Sequence, residues 1–169
     1  MKKRFVNCLC LLFIGFIFCC TISCNNKTSS FAAKEQAIVK DSVQQLVNSI
    51  EKNISQRGPV AWLNYFEDSP DFFMASDGLL VFPNIDTARN FINNVLVKNM
   101  ISIKLKWDHV RIDPLTVSLS GVSANFHEDA FDSTGKKSAY DGYFSGIAIQ
   151  TSNGWKLHNA HWSVNKHEK

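Results

Sequence analysis

The stretch Tyr140–Ser163 constrains the fold more than any other part of the chain. It reads as two long strands joined at Ser152-Asn153-Gly154. Gly154 supplies the positive φ that a tight turn demands, and Asn153 tolerates the neighbouring conformation. Register then decides which face is which, because a slip of one residue moves every side chain to the opposite face. A two-residue loop, Asn153-Gly154, puts Trp155 and Leu157 with Gln150 and Ala148. A three-residue loop, with Gly154 as a bulge residue, puts them with Ile147 and Ile149. The second sets apolar beside apolar and is the expected register. The core face is then Tyr143, Ser145, Ile147, Ile149, Trp155, Leu157, Asn159 and His161. The outer face carries Phe144, Ala148, Lys156, His158, Ala160 and Trp162, an apolar enough set to be covered as well.

Upstream, Val39, Val43, Leu46, Val47, Ile50 and Ile54 recur at three- and four-residue steps, the stripe of one long helix from about Ser30 to Gln56. Gly58 suits its stop, and Pro59 the first position of a second, aromatic helix reaching about Glu67. A small hairpin is expected about Asp77-Gly78, between Asp71–Ser76 and Leu79–Phe82. Asp86 or Asn84 can cap a third helix in which Ala88, Phe91, Ile92, Val95 and Leu96 keep helical spacing. From Met100 the period changes to two: Ile101, Ile103, Leu105 and Trp107 alternate with Ser102, Lys104, Lys106 and Asp108, a strand with one wet face. Asp113-Pro114 is expected to turn it back, and Gly121 to carry a bulge in the return strand, where Val117 and Leu119 give way to Val122, Ala124 and Phe126.

The two ends of the sequence differ sharply in kind. Lys2-Lys3-Arg4 precedes an uncharged, mostly apolar run from Phe5, and all five cysteines (Cys8, Cys10, Cys19, Cys20, Cys24) lie in or beside that run. Thr21-Ile22-Ser23-Cys24 resembles the lipobox of bacterial lipoproteins, with Thr21 in the place that usually holds Leu and Ile22 where a smaller residue is common. That resemblance implies a signal peptide over 1–23, lipidation of Cys24 with acyl chains such as palmitate, a polar tether over 24–30 and one domain over 31–169. More than one acyl chain suffices for stable membrane attachment. The alternatives are an uncleaved membrane anchor or an ordinary signal peptide cut nearby. Loss of Lys2, Lys3 and Arg4 from the 18 basic side chains leaves as many as the 15 acidic ones, so the formal +3 belongs to the leader. A near-neutral domain lacks the main electrostatic attraction for nucleic acid. With every cysteine outside it, the domain has no disulfide framework or thiolate chemistry to draw on.

Helix, helix, short hairpin, helix and four long strands is an order that resembles the nuclear transport factor 2-like superfamily, and within it the SnoaL-like branch. The matching residues are Trp62-Leu-Asn-Tyr-Phe66, Ser76-Asp-Gly78 and Gly154-Trp-Lys-Leu-His-Asn-Ala-His-Trp-Ser163. The resemblance implies an α+β cone: a strongly curved antiparallel sheet wrapped around three N-terminal helices, with a pocket at the wide end. It also implies a homodimer through the outer sheet face, here Phe144, Ala148, Ala160 and Trp162. The superfamily includes isomerases, dehydratases, cyclases and binding modules, so the fold does not choose the function.

Ligand contact at the mouth of the cone is expected from Trp62, Tyr65, Phe73, Trp107, Tyr143, Asn159 and His161, an apolar lining with a few polar groups. Catalysis would need an acid or base tuned by burial, for which His161 and Asp71 are the candidates, with Tyr65 or Tyr143 as a hydrogen-bond donor. The competing reading of His161 is a sheet histidine bonded to Ser163 or a helix carbonyl. The carboxylate, tyrosine and protonated acid of the superfamily's steroid isomerases do not map onto this chain residue by residue. No metal or cofactor site is expected. His158 and His161 fall on opposite faces, and His127-Glu128-Asp129 reads as a solvated strand end. Three functions follow: an envelope-anchored binder of a small apolar or amphipathic molecule, an isomerase, dehydratase or cyclase, or a dimeric interaction module with a filled cavity.

Overall fold

The computed structural model describes residues 31–165. The expected signal peptide, Cys24 and the expected tether lie outside the described residues. The long helix α1 (Ala33–Arg57) buries all six residues of its stripe, Val39 to Ile54. It ends at Gly58, whose φ of 72° begins the turn into Pro59. Pro59–Asn64 winds more tightly than expected, as a 3-10 helix. The chain then leaves helical geometry, and Phe66 bridges in parallel to Leu157.

Strands β1 (Phe73–Ser76) and β2 (Leu79–Phe82) form the small hairpin, turning on Asp77 and Gly78, both at positive φ. Helix α2 (Ile85–Phe91) is capped by Asn84, whose side-chain oxygen accepts from the Thr87 amide at 2.9 Å. Loss of a cap of this kind costs about 1 kcal/mol. Asn84→Ala should lower the denaturation free energy by that amount, and Asn84→Asp by much less, as read in chemical denaturation. Past Phe91 the helix widens into a π-turn (Ile92–Leu96) before closing at Val97–Asn99. The wider turn breaks the expected stripe: Ile92 is buried, Leu96 half-buried, and Val95 faces solvent. Among the described residues no helix is long and apolar enough to cross a membrane.

Four long antiparallel strands follow: β3 (Ser102–Thr116), β4 (Leu119–Phe131), β5 (Lys137–Thr151) and β6 (Gly154–Val164). The sheet order is β2-β1-β6-β5-β4-β3, with β1 parallel to β6, so it is curved but not closed. Along Leu105–Trp107 the edge formed by β3 is covered by α1. The Ser55 hydroxyl accepts from the Leu105 amide at 3.0 Å and a Glu51 carboxylate oxygen accepts from the Trp107 amide at 2.9 Å. Those bonds supply partners that an edge strand otherwise lacks.

Three expectations are corrected. The first strand does not turn at Asp113-Pro114; it runs on to Thr116, with Pro114 opposite Ser120. Proline is tolerated there because β3 is an edge strand. Gly121 carries no bulge and pairs in register with Asp113 and Ile147. The irregularities sit across from it in β3, one between Asp108 and Arg111, where His109 has a φ of 48°, the other between Pro114 and Thr116.

The largest correction concerns the C-terminal hairpin. Thr151 pairs with Gly154, which places Leu157 opposite Ala148. A bulge at His158-Asn159 then restores the register expected beyond it, with Ile147 opposite Asn159. Along β5, and along β6 beyond the bulge, the faces are therefore the reverse of those expected, while Leu157, before the bulge, lies on the core face as expected. Phe144, Ala148, Leu157 and Ala160 are buried in the core, and Tyr143 and His161 are exposed on the outer face. The residues assigned to a homodimer contact, Phe144, Ala148, Ala160 and Trp162, thus lie on the inner face of the sheet, the first three buried and Trp162 half-buried. The reason is crowding. The inward positions of β5 run Gly142, Phe144, Gly146, Ala148, three of them small residues that make room for large rings, so counting apolar bulk selects the wrong parity. A Cβ at Gly142 would come 2.2 Å from the Ser163 carbonyl oxygen and 2.7 Å from the Phe126 ring.

Candidate functional site

The inward face of the sheet meets α2 and the β1–β2 hairpin around a cavity of about 340 Å³. Two rows of side chains build its wall. Strand alternation brings Phe126 and Glu128 from β4, Tyr140 from β5, and Trp162 and Val164 from β6 to one side. Trp62 and Phe66, Met74 and Ser76 of β1, Val81 and Phe82 of β2, and Phe91, Ile92 and Leu96 of α2 and its π-turn close the other. Ile92 and Leu96, one turn apart, both face the cavity from the π-turn.

Aromatic rings hold the floor in place. Trp162 lies 4.7 Å from Phe126 and 5.5 Å from Trp62, both edge to face, and 5.6 Å from Trp107 and 5.1 Å from Phe144. Such arrangements match the positive edge of one ring to the negative face of the next.

Glu128 is the one charged side chain in the wall. It follows Val122, Ala124 and Phe126 on the inward parity of β4 and precedes Ala130, all four of them buried. Its cross-strand neighbours are Leu105 and Tyr140. Burial alone pushes its carboxyl up to about 7, because the ionised form has lost water without gaining a partner. The sequence signal was present: an acid at a position whose neighbours two residues either side are apolar and inward. Reading His127-Glu128-Asp129 as a solvated strand end overlooked it, and Glu128 is corrected to a cavity residue.

The folded carboxyl is raised from 4.5 to about 7, so the protonated form favours folding. The stability it contributes is full below about 4.5 and is lost as pH rises through about 7. After discounting for solvent admitted by the open mouth, the loss is about 2 kcal/mol. Glu128→Gln should flatten that part of the profile and be the more stable protein at pH 8, as read by chemical denaturation between pH 4 and 9.

Of the seven residues expected to line the mouth, Trp62 does so. Tyr65 is buried but satisfied elsewhere: its hydroxyl donates to the Ser49 carbonyl at 2.9 Å and accepts from Asn53. Trp107 lies in the core beneath Trp162, its indole N–H unpartnered. Asn159 accepts from the Ile147 amide at the bulge, 3.1 Å away. Phe73, Tyr143 and His161 are exposed and outside the cavity. Asp71 is exposed in the loop before β1. The acid/base candidates Asp71, His161 and Tyr65 are therefore not brought together.

The outer face carries a separate polar trough lined by Lys106, Asp108, Asn125, His127, Asp141 and Tyr143, among others. There His127 bonds Asp141 at 2.8 Å, which raises its pKa, while Lys137 at 3.0 Å lowers that of Asp129. Among the described residues no three histidine, cysteine or carboxylate side chains are placed to hold a metal ion.

No family model and no curated protein matches the chain in sequence. Solved structures match in shape. A nuclear transport factor 2-like superfamily protein from Salmonella enterica superposes with a TM-score of 0.66 at 18% identity, covering 79% of this chain and 95% of that one. The chain has the nuclear transport factor 2-like fold. A hexachlorocyclohexane dehydrochlorinase from Novosphingobium barchaimii gives 0.63 at 10% identity, covering 80% and 92% of the two chains. An uncharacterised protein with a cystatin-like fold from Caulobacter vibrioides gives 0.58 at 12% identity, covering 76% and 90%. At these identities the shared property of this nuclear transport factor 2-like chain is its shape; its chemistry rests on its own residues.

Proposed function

We propose that the protein is a lipid-anchored envelope protein that holds a small, largely apolar molecule in the cone cavity without converting it. The observation that carries this reading is the wall itself. Aromatic and aliphatic side chains enclose about 340 Å³, and the polar side chains among them are Ser76, Glu128 and Tyr140. A mostly apolar cavity with a few polar groups suits a small ligand that is buried by its apolar surface and oriented by its polar part. An open cavity also argues against the interaction module with a filled interior. Attachment through Cys24 rests on the lipobox-like sequence and on the clustering of all cysteines at that end.

Native mass spectrometry of the protein purified from its own membranes tests the binding. A co-purifying mass that disappears when Trp62 and Phe126 are both replaced by Ala in a still-folded protein is the expected result. A spectrum of bare protein, with no apolar probe taken up on titration, would sink it. Cys24→Ser should release the protein from the membrane fraction and remove the acyl mass.

A second reading, an isomerase, dehydratase or cyclase, is favoured by the acidity of Glu128, which sits near the value an acid/base group needs at neutral pH. In that reading the acid/base role passes from His161 and Asp71 to Glu128, with Tyr140 across from it as a donor. Turnover that Glu128→Gln abolishes, with binding retained, would select it over simple binding.

A further inference from the structure

The cavity wall combines two features that are seldom found together without reason. Its apolar surface is dominated by rings: Trp62, Phe66, Phe82, Phe91, Phe126 and Trp162. Its single charged side chain is a carboxyl, and no cation lines it. The ring faces carry negative quadrupole, so they attract a cation and give an anion nothing. The carboxylate adds a full negative charge in the same enclosure. We infer that the cavity selects an organic ammonium ion, its alkyl or aryl body against the rings and its cationic head against Glu128. This inference rests on the binding reading above and names the class of ligand.

The competing ligand is a neutral molecule with a carbonyl or ether oxygen, which would accept a hydrogen bond from the protonated Glu128. Two considerations favour the cation. An ammonium ion uses both the rings and the carboxylate, whereas a neutral acceptor uses only the acid and gains nothing specific from the ring faces. A buried carboxyl without a partner also has the most to gain from an opposite charge, which returns to its ionised form the stabilisation that burial removes.

The two ligands give opposite pH dependence. A permanently charged ammonium ion needs Glu128 ionised, so its affinity rises as pH increases from 6 to 8; a neutral acceptor loses affinity over the same range. The groups facing Glu128 do not confuse this. Tyr140 of β5 is the other titratable side chain in the wall, and β1, β2, β6 and α2 contribute no ionisable group to it. Lys104, Lys106, His127 and Asp129 belong to the opposite parity of β3 and β4, and Glu51 of α1 is held at the Trp107 amide.

The test uses the full chain in maltoside micelles, with protein-free micelles as the blank. Benzyltrimethylammonium and its neutral carbon isostere, neopentylbenzene, are titrated by calorimetry at pH 6, 7 and 8. A preference for the cation of about tenfold or more at pH 8, shrinking at pH 6, is expected for a ring-and-carboxylate site. Glu128→Gln, with its fold checked by circular dichroism, should lose most of that preference and all of its pH dependence, keeping only what the rings supply. Equal binding by the wild type, or cation affinity that falls as pH rises, overturns the ammonium inference and leaves the apolar cavity standing. Failure of both probes to bind overturns the cavity reading itself.

Discussion

Replacing Trp162 by alanine should cost about 4 kcal/mol of stability, the middle of the range for removing a large aromatic side chain from a core. Trp162 is the ring that the others share. It touches Trp62, Trp107, Phe126 and Phe144, which come from four different elements, at centroid distances between 4.7 and 5.6 Å. No single neighbour can relax into the space without leaving another, so the cavity would enlarge rather than collapse. Urea denaturation of the variant should show the midpoint shifted down with the slope of the transition unchanged. A loss below about 1 kcal/mol would mean that the rings pack as independent pairs. Trp162→Phe should recover more than half of the loss, because it keeps an edge for Phe126 and Trp62.

Gly142→Ala should be nearly as severe, about 3 kcal/mol, although it adds one methyl group to a strand. The new Cβ would lie 2.2 Å from the Ser163 carbonyl oxygen and 2.7 Å from two atoms of the Phe126 ring. Backbone on the neighbouring strand cannot swing aside as a flexible side chain does, so β5 and β6 must separate locally. The same displacement would carry Phe126 and Val164, both in the cavity wall, away from their places. The variant should therefore lose ligand uptake along with stability. A second replacement, Phe126→Leu, should relieve part of the ring clash but not the clash with the carbonyl. Thermal melting of the single and double variants reads both contributions, and an Ala variant as stable as the wild type would show that the two strands are not held this closely.

These two positions also show why the sequence reveals the scaffold more readily than the site. The stripe Val39 to Ile54, the Asp77-Gly78 turn and the alternation of Ile103, Leu105 and Trp107 are each set by local periodicity and form where expected, although Ile101, expected to begin that alternation, lies before β3 and is exposed. The C-terminal hairpin is different, because its faces are decided by what presses on it from across the core. Gly142, Gly146 and Ala148 are inward for lack of bulk, so ranking faces by hydrophobicity selects Ile147 and Ile149, which are outside. Once the parity was reversed, Tyr143, Asn159 and His161 left the cavity with it. Glu128 was legible in principle, as an acid in the series Val122, Ala124, Phe126, Ala130, but only if a polar residue on an apolar parity is treated as information. The π-turn that leaves Val95 in solvent between Ile92 and Leu96 has no counterpart in the spacing of that helix.

The helix lying along β3 has a further consequence for assembly. With Ser55 and Glu51 occupying the Leu105 and Trp107 amides, hydrogen-bonded extension of the sheet is blocked along that part of β3, while at the other margin β2 leaves Leu79 and Leu80 70% and 61% exposed. Two molecules that met margin to margin would consume it in both partners. Such a pairing would be isologous and close on itself, and strand-by-strand growth through the Leu105–Trp107 part of the other margin would first have to displace α1.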